Sequence, residues 1–485
     1  MFKYRLTGSA LLAVATTALG TTLFGTAALA TCSDFSPGGN DTVTCSGTIT
    51  DEIDDGSDGV TINILPGTDW TVSKPDTRAI DIGDSAKVNV QADATDGKAK
   101  VEATDADAIR VDKGTATDPS IVTNDGNIIG GSDGVQGKDY LVVNNNAGGT
   151  ITAAKNGVEA EGRDNVTVTN FGLIDAAAKG IRARPDGADG GSDNTLVNVG
   201  TVRAGTEGFE AGDTATVVNT GLIEAGEDAV QVGNGADIQN LAGGVIRSNG
   251  LFDPDEGKMV GDAIDMDSGT VYNEGEILSA VDAAIDFDGN ETGIGEIINT
   301  QTGVIRGAQG ITVEKGPVEP ANVSAQIIEN YGVIEATNGL ALDLGLGDDA
   351  YTHGATAMII GGADFGGGED ILDVKGGAMG ALGGASLATF DGGADTDTVL
   401  LEDYALTDVS FTTEAGGTVL MSLMNGGSQS LTARLLNWEN AVIGQTTYSI
   451  ASLATVTPVP LPAGVLLLGS ALFGLGALRA RQKVV

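Results

Sequence analysis

Aromatic side chains make up only 4% of this 485-residue chain. So few rings leave no evident platform on which a sugar would stack. There is one histidine, His353, which excludes multi-histidine zinc sites and makes a Ser-His-Asp triad remote. It lies in Tyr351-Thr352-His353-Gly354, which reads as an ordinary exposed turn. Basic residues are scarce too, 25 against 67 acidic, for a net charge of −42. Such a surface repels nucleic acid and anionic lipid, and favours solubility and cations. No P-loop or dinucleotide fingerprint occurs, and the 74 glycines read as repeat punctuation. No apolar stripe of 3.6-residue period runs through the body, which disfavours helical and leucine-rich repeats. Yet hydrophobic residues reach 41%, spread in periodic pieces, enough to bury a long core.

The two ends are distinct from the body. Met1–Thr7 carries Lys3 and Arg5, an apolar stretch runs from Leu11 to Phe24, and Ala28-Leu29-Ala30 follows. That order of charge, apolar stretch and small-residue site reads as a signal peptide over 1–30, with Thr31 as the new start. The stretch is too short and too rich in Gly and Thr for a membrane anchor. At the other end Val459-Pro460-Leu461-Pro462-Ala463 opens an apolar run of 20 residues to Leu478, closed by Arg479, Arg481 and Lys483. As a helix this run is about 30 Å long, enough to span a bilayer, with the basic end cytoplasmic. Motif, helix and basic end follow the logic of a removable sorting tail. These ends hold five of the basic residues and no acidic one, so the body carries 20 basic against 67 acidic, a net of −47.

Val459 to Ala463 resembles, letter for letter, the VPLPA-CTERM sorting domain of Gram-negative bacteria. The resemblance covers about the last 27 residues. It implies an integral-membrane exosortase-type protease as processing partner, alongside signal peptidase and the secretion machinery. A plain C-terminal anchor is the alternative. Export would place Cys32 and Cys45 in an oxidising compartment, where a disulfide closing their short loop would stabilise by ~3 kcal/mol. Leu29-Ala30-Thr31-Cys32 also looks like a lipoprotein box, but Thr31 is too large before the cysteine.

The body is a repeat, apolar-x-Asn-x-Gly-x-apolar, as in Val168-Thr-Asn170-Phe-Gly172-Leu-Ile174 and Val217-Val-Asn219-Thr-Gly221-Leu-Ile223. Its asparagines fall at Asn124, Asn146, Asn170, Asn198, Asn219, Asn240, Asn273, Asn299 and Asn330, with shortest intervals of 21 residues. About ten residues after each comes a small-apolar pair, such as Gly157-Val158, Gly180-Ile181 or Ala229-Val230. One such unit cannot cover its own apolar face, so units must stack. The pattern predicts an all-β, right-handed parallel β-helix (a β-solenoid), with a signal helix before it and a transmembrane helix after it. Asparagines at one corner would bond up and down the stack as a ladder, and the Gly after each would permit a positive-φ turn. The repeat resembles autotransporter passenger domains over roughly Ala79 to Leu344, although no translocator barrel follows. The expected organisation is 1–30 signal, 31–78 N-terminal cap with a Cys32–Cys45 disulfide, 79–344 repeats, 345–455 a Gly/Asp-rich solenoid region, and 456–485 linker and tail. Trp438 is expected to cover the core end.

Two sets of carboxylates are candidate sites. Gly-Asp segments containing Asp348, Asp370, Asp395 and Asp397 resemble calcium-binding nonapeptide repeats, but lie about 20 residues apart instead of nine, which favours plain solenoid turns with Asp caps. The other set follows the small-apolar pair, where strand alternation points the next residue outward: Glu159, Arg182, Glu210, Gln231, Asp265, Asp286. The lower members alternate in sign and suit ion pairs. Asp265, Asp267, Asp286 and Asp288 should form two stacked acidic pairs about 5 Å apart. Three readings compete for them: a solvated face, a calcium site of hard oxygen ligands, or a glycan-cleaving pair at retaining spacing. For the whole chain the expectation is an exported structural or adhesive protein of the cell surface or matrix, with no catalytic residue assigned and a surface polysaccharide as candidate partner. The rivals are a β-helix polysaccharide lyase or hydrolase, and a calcium-ordered scaffold.

Overall fold

The computed structural model describes residues 31–456, apart from 162–163, 185–189, 255–256, 289–292, 314–323, 381–386, 415 and 426–427. The signal segment, and the sorting motif Val459 to Ala463 with its helix, lie outside the described residues. Within them the chain is a parallel β-solenoid. Each rung contributes a strand to a first face (Thr216–Asn219), a second (Leu222–Ala225) and a third (Val230–Val232), then returns to the first at Ala236–Asn240. The next strand pairs in parallel with the one a rung below, as in Thr216↔Asp237 and Val217↔Ile238. The first face runs from Thr42–Ser46 to Asn440–Ile443 in a sheet of 18 strands, of which the two outermost are antiparallel closures. At about 4.8 Å per rung the sixteen rungs make a rod of ~70 Å. No described helix is long and apolar enough to cross a membrane.

Strand alternation explains the core. Every regular strand shows a buried residue at each second position. Register then lines these up into columns, from Ile62 through Val168 to Leu372 on the first face and from Trp70 through Ile174 to Ile359 on the second. A parallel stack tolerates this because each apolar column continues through its neighbours and only its ends need covering. At the N-terminal end Thr31–Cys32 pairs antiparallel with Cys45 and Ser46, and Cys32 and Cys45 form a disulfide. At the C-terminal end Val409–Thr413, Val419–Asn425 and Ser428–Leu436 form an antiparallel meander. There Trp438 is buried, edge-on to Phe365 with ring centroids 5.1 Å apart, and donates Nε1–H to the Phe390 carbonyl at 2.9 Å.

The corner between first and second faces carries the asparagine ladder. Asn124, Asn145, Asn170, Asn198, Asn219, Asn240, Asn273, Asn299 and Asn330 are fully buried, and each of the first eight donates Nδ2–H to the next Oδ1 at 2.8–2.9 Å. Two readings of the sequence are corrected here. The ladder residue of its rung is Asn145; Asn146 instead reaches Asp125 at 2.9 Å. The glycines two residues on are needed for space and not for positive φ. A Cβ on Gly172 would lie 2.2 Å from the Gly149 carbonyl, and one on Gly200 2.1 Å from the Gly172 carbonyl. Left-handed glycine appears instead in the longer turns, at Gly148 and Gly243 (φ 87° for each).

Candidate functional site

Polar side chains that do not face open water gather in three columns along the rod. The first follows the centre of the third face. Glu159, Arg182 and Glu210 point outward, as alternation requires, but are each only 7% exposed. Residues of the preceding turns fold onto them: Asn156 donates to Glu159 at 2.7 Å, and Lys179 to Glu210 at 2.6 Å. Arg182 lies between the two carboxylates, 3.5 Å from Glu159 and 3.3 Å from Glu210. Burial pushes Glu159 up to about 7, against the pull of Arg182. The expected alternation of sign is therefore present, and closes a desolvated network in place of an exposed ion-pair row.

Higher in the same column Asp265 and Asp286 stand in register on neighbouring rungs. Gln231 donates to Asp265 at 3.0 Å from below, and Thr312 donates to Asp286 from above. The strand register also aligns Met266 with Phe287, so Asp267 and Asp288 directly follow the pair. Asn234 donates to Asp267 at 3.1 Å.

A second column, not foreseen from the sequence, lies at the corner just before the third face. The Asp107 carboxylate accepts the Asp133 amide at 3.2 Å, Asp133 accepts that of Asn156 at 3.0 Å, and Asp228 accepts that of Asp262 at 2.8 Å. Burial raises Asp228 to about 8, helped by Asp265, and Asp262 to about 10, helped by Asp286 and Asp228. The signal was one position upstream of the small-apolar pair: Asp133, Asn156, Lys179, Glu207, Asp228 and Asp262 each precede one.

The third column belongs to the Gly-Asp segments. Asp349 accepts the Gln326 amide at 2.6 Å, Asp370 the Asp349 amide at 2.8 Å, and Asp397 the Asp370 amide at 3.0 Å. Glu439 ends the series by accepting the Asp397 amide at 2.9 Å. All three aspartates are at most 1% exposed, and the second oxygen (Oδ2) of each is buried without a hydrogen-bond partner. Burial pushes Asp349 to about 8, Asp370 to about 7 and Asp397 to about 6, the bonded amides opposing it and neighbouring carboxylates adding to it. Of the residues expected here, Asp370 and Asp397 are in the column. Asp348 and Asp395 face solvent, and the neighbour Asp349 takes the inner place.

His353 is a further correction: it is fully buried, not an exposed turn residue. It sits in register with Asn330 at the top of the asparagine ladder. Asn330 donates to the Tyr351 hydroxyl at 3.2 Å, which lies 2.8 Å from His353 Nδ1. Burial lowers its pKa to about 4, so the ring is neutral.

The arrangement stacks carboxylates one per rung and does not converge them on a point. Among the described residues no group of three or more His, Cys, Asp or Glu side chains is gathered to hold a metal ion. The chain has no match among protein-family models, curated proteins or solved structures.

Proposed function

We propose that this chain is an exported structural or adhesive rod of the bacterial cell envelope, surface or matrix. In this reading residues 1–30 direct export, the coil winds right-handed, and Val459 to Ala463 with the following helix tethers the rod until an exosortase-type protease acts. The observation that carries it is the unbroken bonding between rungs. Three parallel faces and a nine-membered asparagine ladder make a stiff object built for length. The test is to express the full chain in a Gram-negative host with and without such a protease, then measure mass and membrane association. Loss of residues 1–30 in both, and release with a shortened C-terminus only with the protease, supports the reading. A cytoplasmic product with its N-terminus intact defeats it.

A calcium-ordered scaffold is the second reading, and the partnerless oxygens of Asp349, Asp370 and Asp397 favour it. Calcium titration at pH 8 followed by thermal unfolding separates the two. A rise in melting temperature that Asp370→Asn abolishes selects calcium, whereas indifference leaves the plain rod. A polysaccharide lyase or hydrolase has less behind it, because Asp265 and Asp286 are engaged by Gln231 and Thr312.

A further inference from the structure

Charge is not spread evenly round this coil. In the first eight rungs the outward positions of the first face form two in-register columns, from Thr42 to Thr216 and from Thr44 to Val218. Of these sixteen side chains eight are Thr, three Asn and four aliphatic. Lys87 alone is charged, and Asp118 holds it at 3.0 Å. The same rungs carry Lys100, Glu102, Arg203 and Glu224 on the second face, and Asp81, Arg110, Glu159 and Arg182 on the third. From the ninth rung the first face turns acidic, with Asp237, Glu296, Glu329 and Asp373 entering its columns.

We infer that this neutral strip is a docking surface for an uncharged, hydroxyl-rich polysaccharide lying along the rod axis. The inference rests on the adhesive reading and names its ligand class. With rungs about 4.8 Å apart the strip is a lattice ~34 Å long, with columns ~7 Å apart. Threonine hydroxyls and asparagine amides both donate and accept, as sugar hydroxyls do. The interleaved Ile121, Val142, Val197 and Val218 meet the C–H faces of the rings. A polyanion is repelled by a body of net −47, and a polycation is drawn to the acidic surfaces elsewhere. A second copy carries the same repulsion. Sixteen short side chains also fall below the roughly 20–30 residues per partner of a stable interface.

The test is retention of the full chain on insoluble neutral glucans, cellulose and curdlan, with polygalacturonate as the anionic comparison. Thr169→Asp and Val197→Asp, neighbours in register, place carboxylates in mid-strip, while Thr152→Asp places one at an exposed site on the second face. Circular dichroism checks that each variant folds. The expected result is retention on a neutral glucan that falls about tenfold or more in the strip variants and is unchanged in Thr152→Asp. No retention on either glucan, equal loss in Thr152→Asp, or a dimer that the strip variants abolish overturns the assignment. If strip variants and wild type adhere equally to whole cells, the adhesive reading stands and only the strip falls. If the wild type adheres to nothing, both fall.

Discussion

Asn198 shows how much one residue does in this fold. Its amide donates to Asn219 at 2.9 Å and to the Leu222 carbonyl at 3.0 Å, while its oxygen accepts from Asn170 at 2.8 Å. Asn198→Ala leaves buried partners on both neighbouring rungs unsatisfied, each costing about 1–3 kcal/mol. We expect a loss of about 2–4 kcal/mol in denaturant unfolding, well above that of an exposed Asn→Ala change. The two kinds of glycine separate in the same assay. Gly200→Ala drives a methyl into the Gly172 carbonyl on the rung below, whereas Gly148→Ala meets no atom and suffers only its left-handed backbone. The second should cost about 1 kcal/mol and the first distinctly more. Equal losses would mean that conformation, and not close approach, selects glycine after the ladder asparagine.

At the scale of an element, the Asp349, Asp370 and Asp397 column makes stability depend on pH. Their folded pKa values of about 8, 7 and 6 lie above the ordinary 3.8, so the native state holds protons that the unfolded chain releases. That contribution is complete below pH 4 and is lost as pH rises through 6 to 8. Glu159 and Asp228, raised to about 7 and 8, act in the same direction. His353 acts oppositely, because its lowered pKa removes stability as pH falls from 6.5 towards 4. The clean window is therefore pH 6.5 to 8, where the melting temperature should fall as pH rises. Asp370→Asn keeps an oxygen for the Asp349 amide and removes the charge. It should flatten the slope and raise the melting temperature at pH 8. An unchanged slope would show that the column does not titrate in this range.

Taken whole, the molecule is quasi-one-dimensional, each rung touching only the next, so damage should stay local. Trp438 covers the core beside Phe365, and Trp438→Ala removes a large buried ring at about 3–5 kcal/mol. The loss should appear as fraying of the last rungs. Limited proteolysis is expected to cut first between 398 and 456, leaving the asparagine-ladder region resistant. Uniform cleavage along the chain would show that the solenoid unfolds as one unit. Such end-sealing matters because a bare parallel edge is a template for further pairing.

The 21-residue spacing, the Asn-x-Gly signal and the small-apolar pair were enough by themselves to specify a stacked coil with an asparagine corner, since period-two alternation and repeat length are local properties of the chain. The fifteen neutral positions and Lys87 were equally present in the sequence, but only register shows that they form two continuous columns. What faces what was decided by the tertiary structure. Asn145 and Asn146, or Asp348 and Asp349, are equivalent as letters, and a one-residue difference in register sends one inward and the other to solvent. His353 looked like a turn residue because its segment is polar, yet stacking on Asn330 buries it. The polar residues before the small-apolar pairs became a buried column only when successive rungs brought one residue's side-chain oxygen to the next rung's amide, a contact between positions 23 to 34 residues apart.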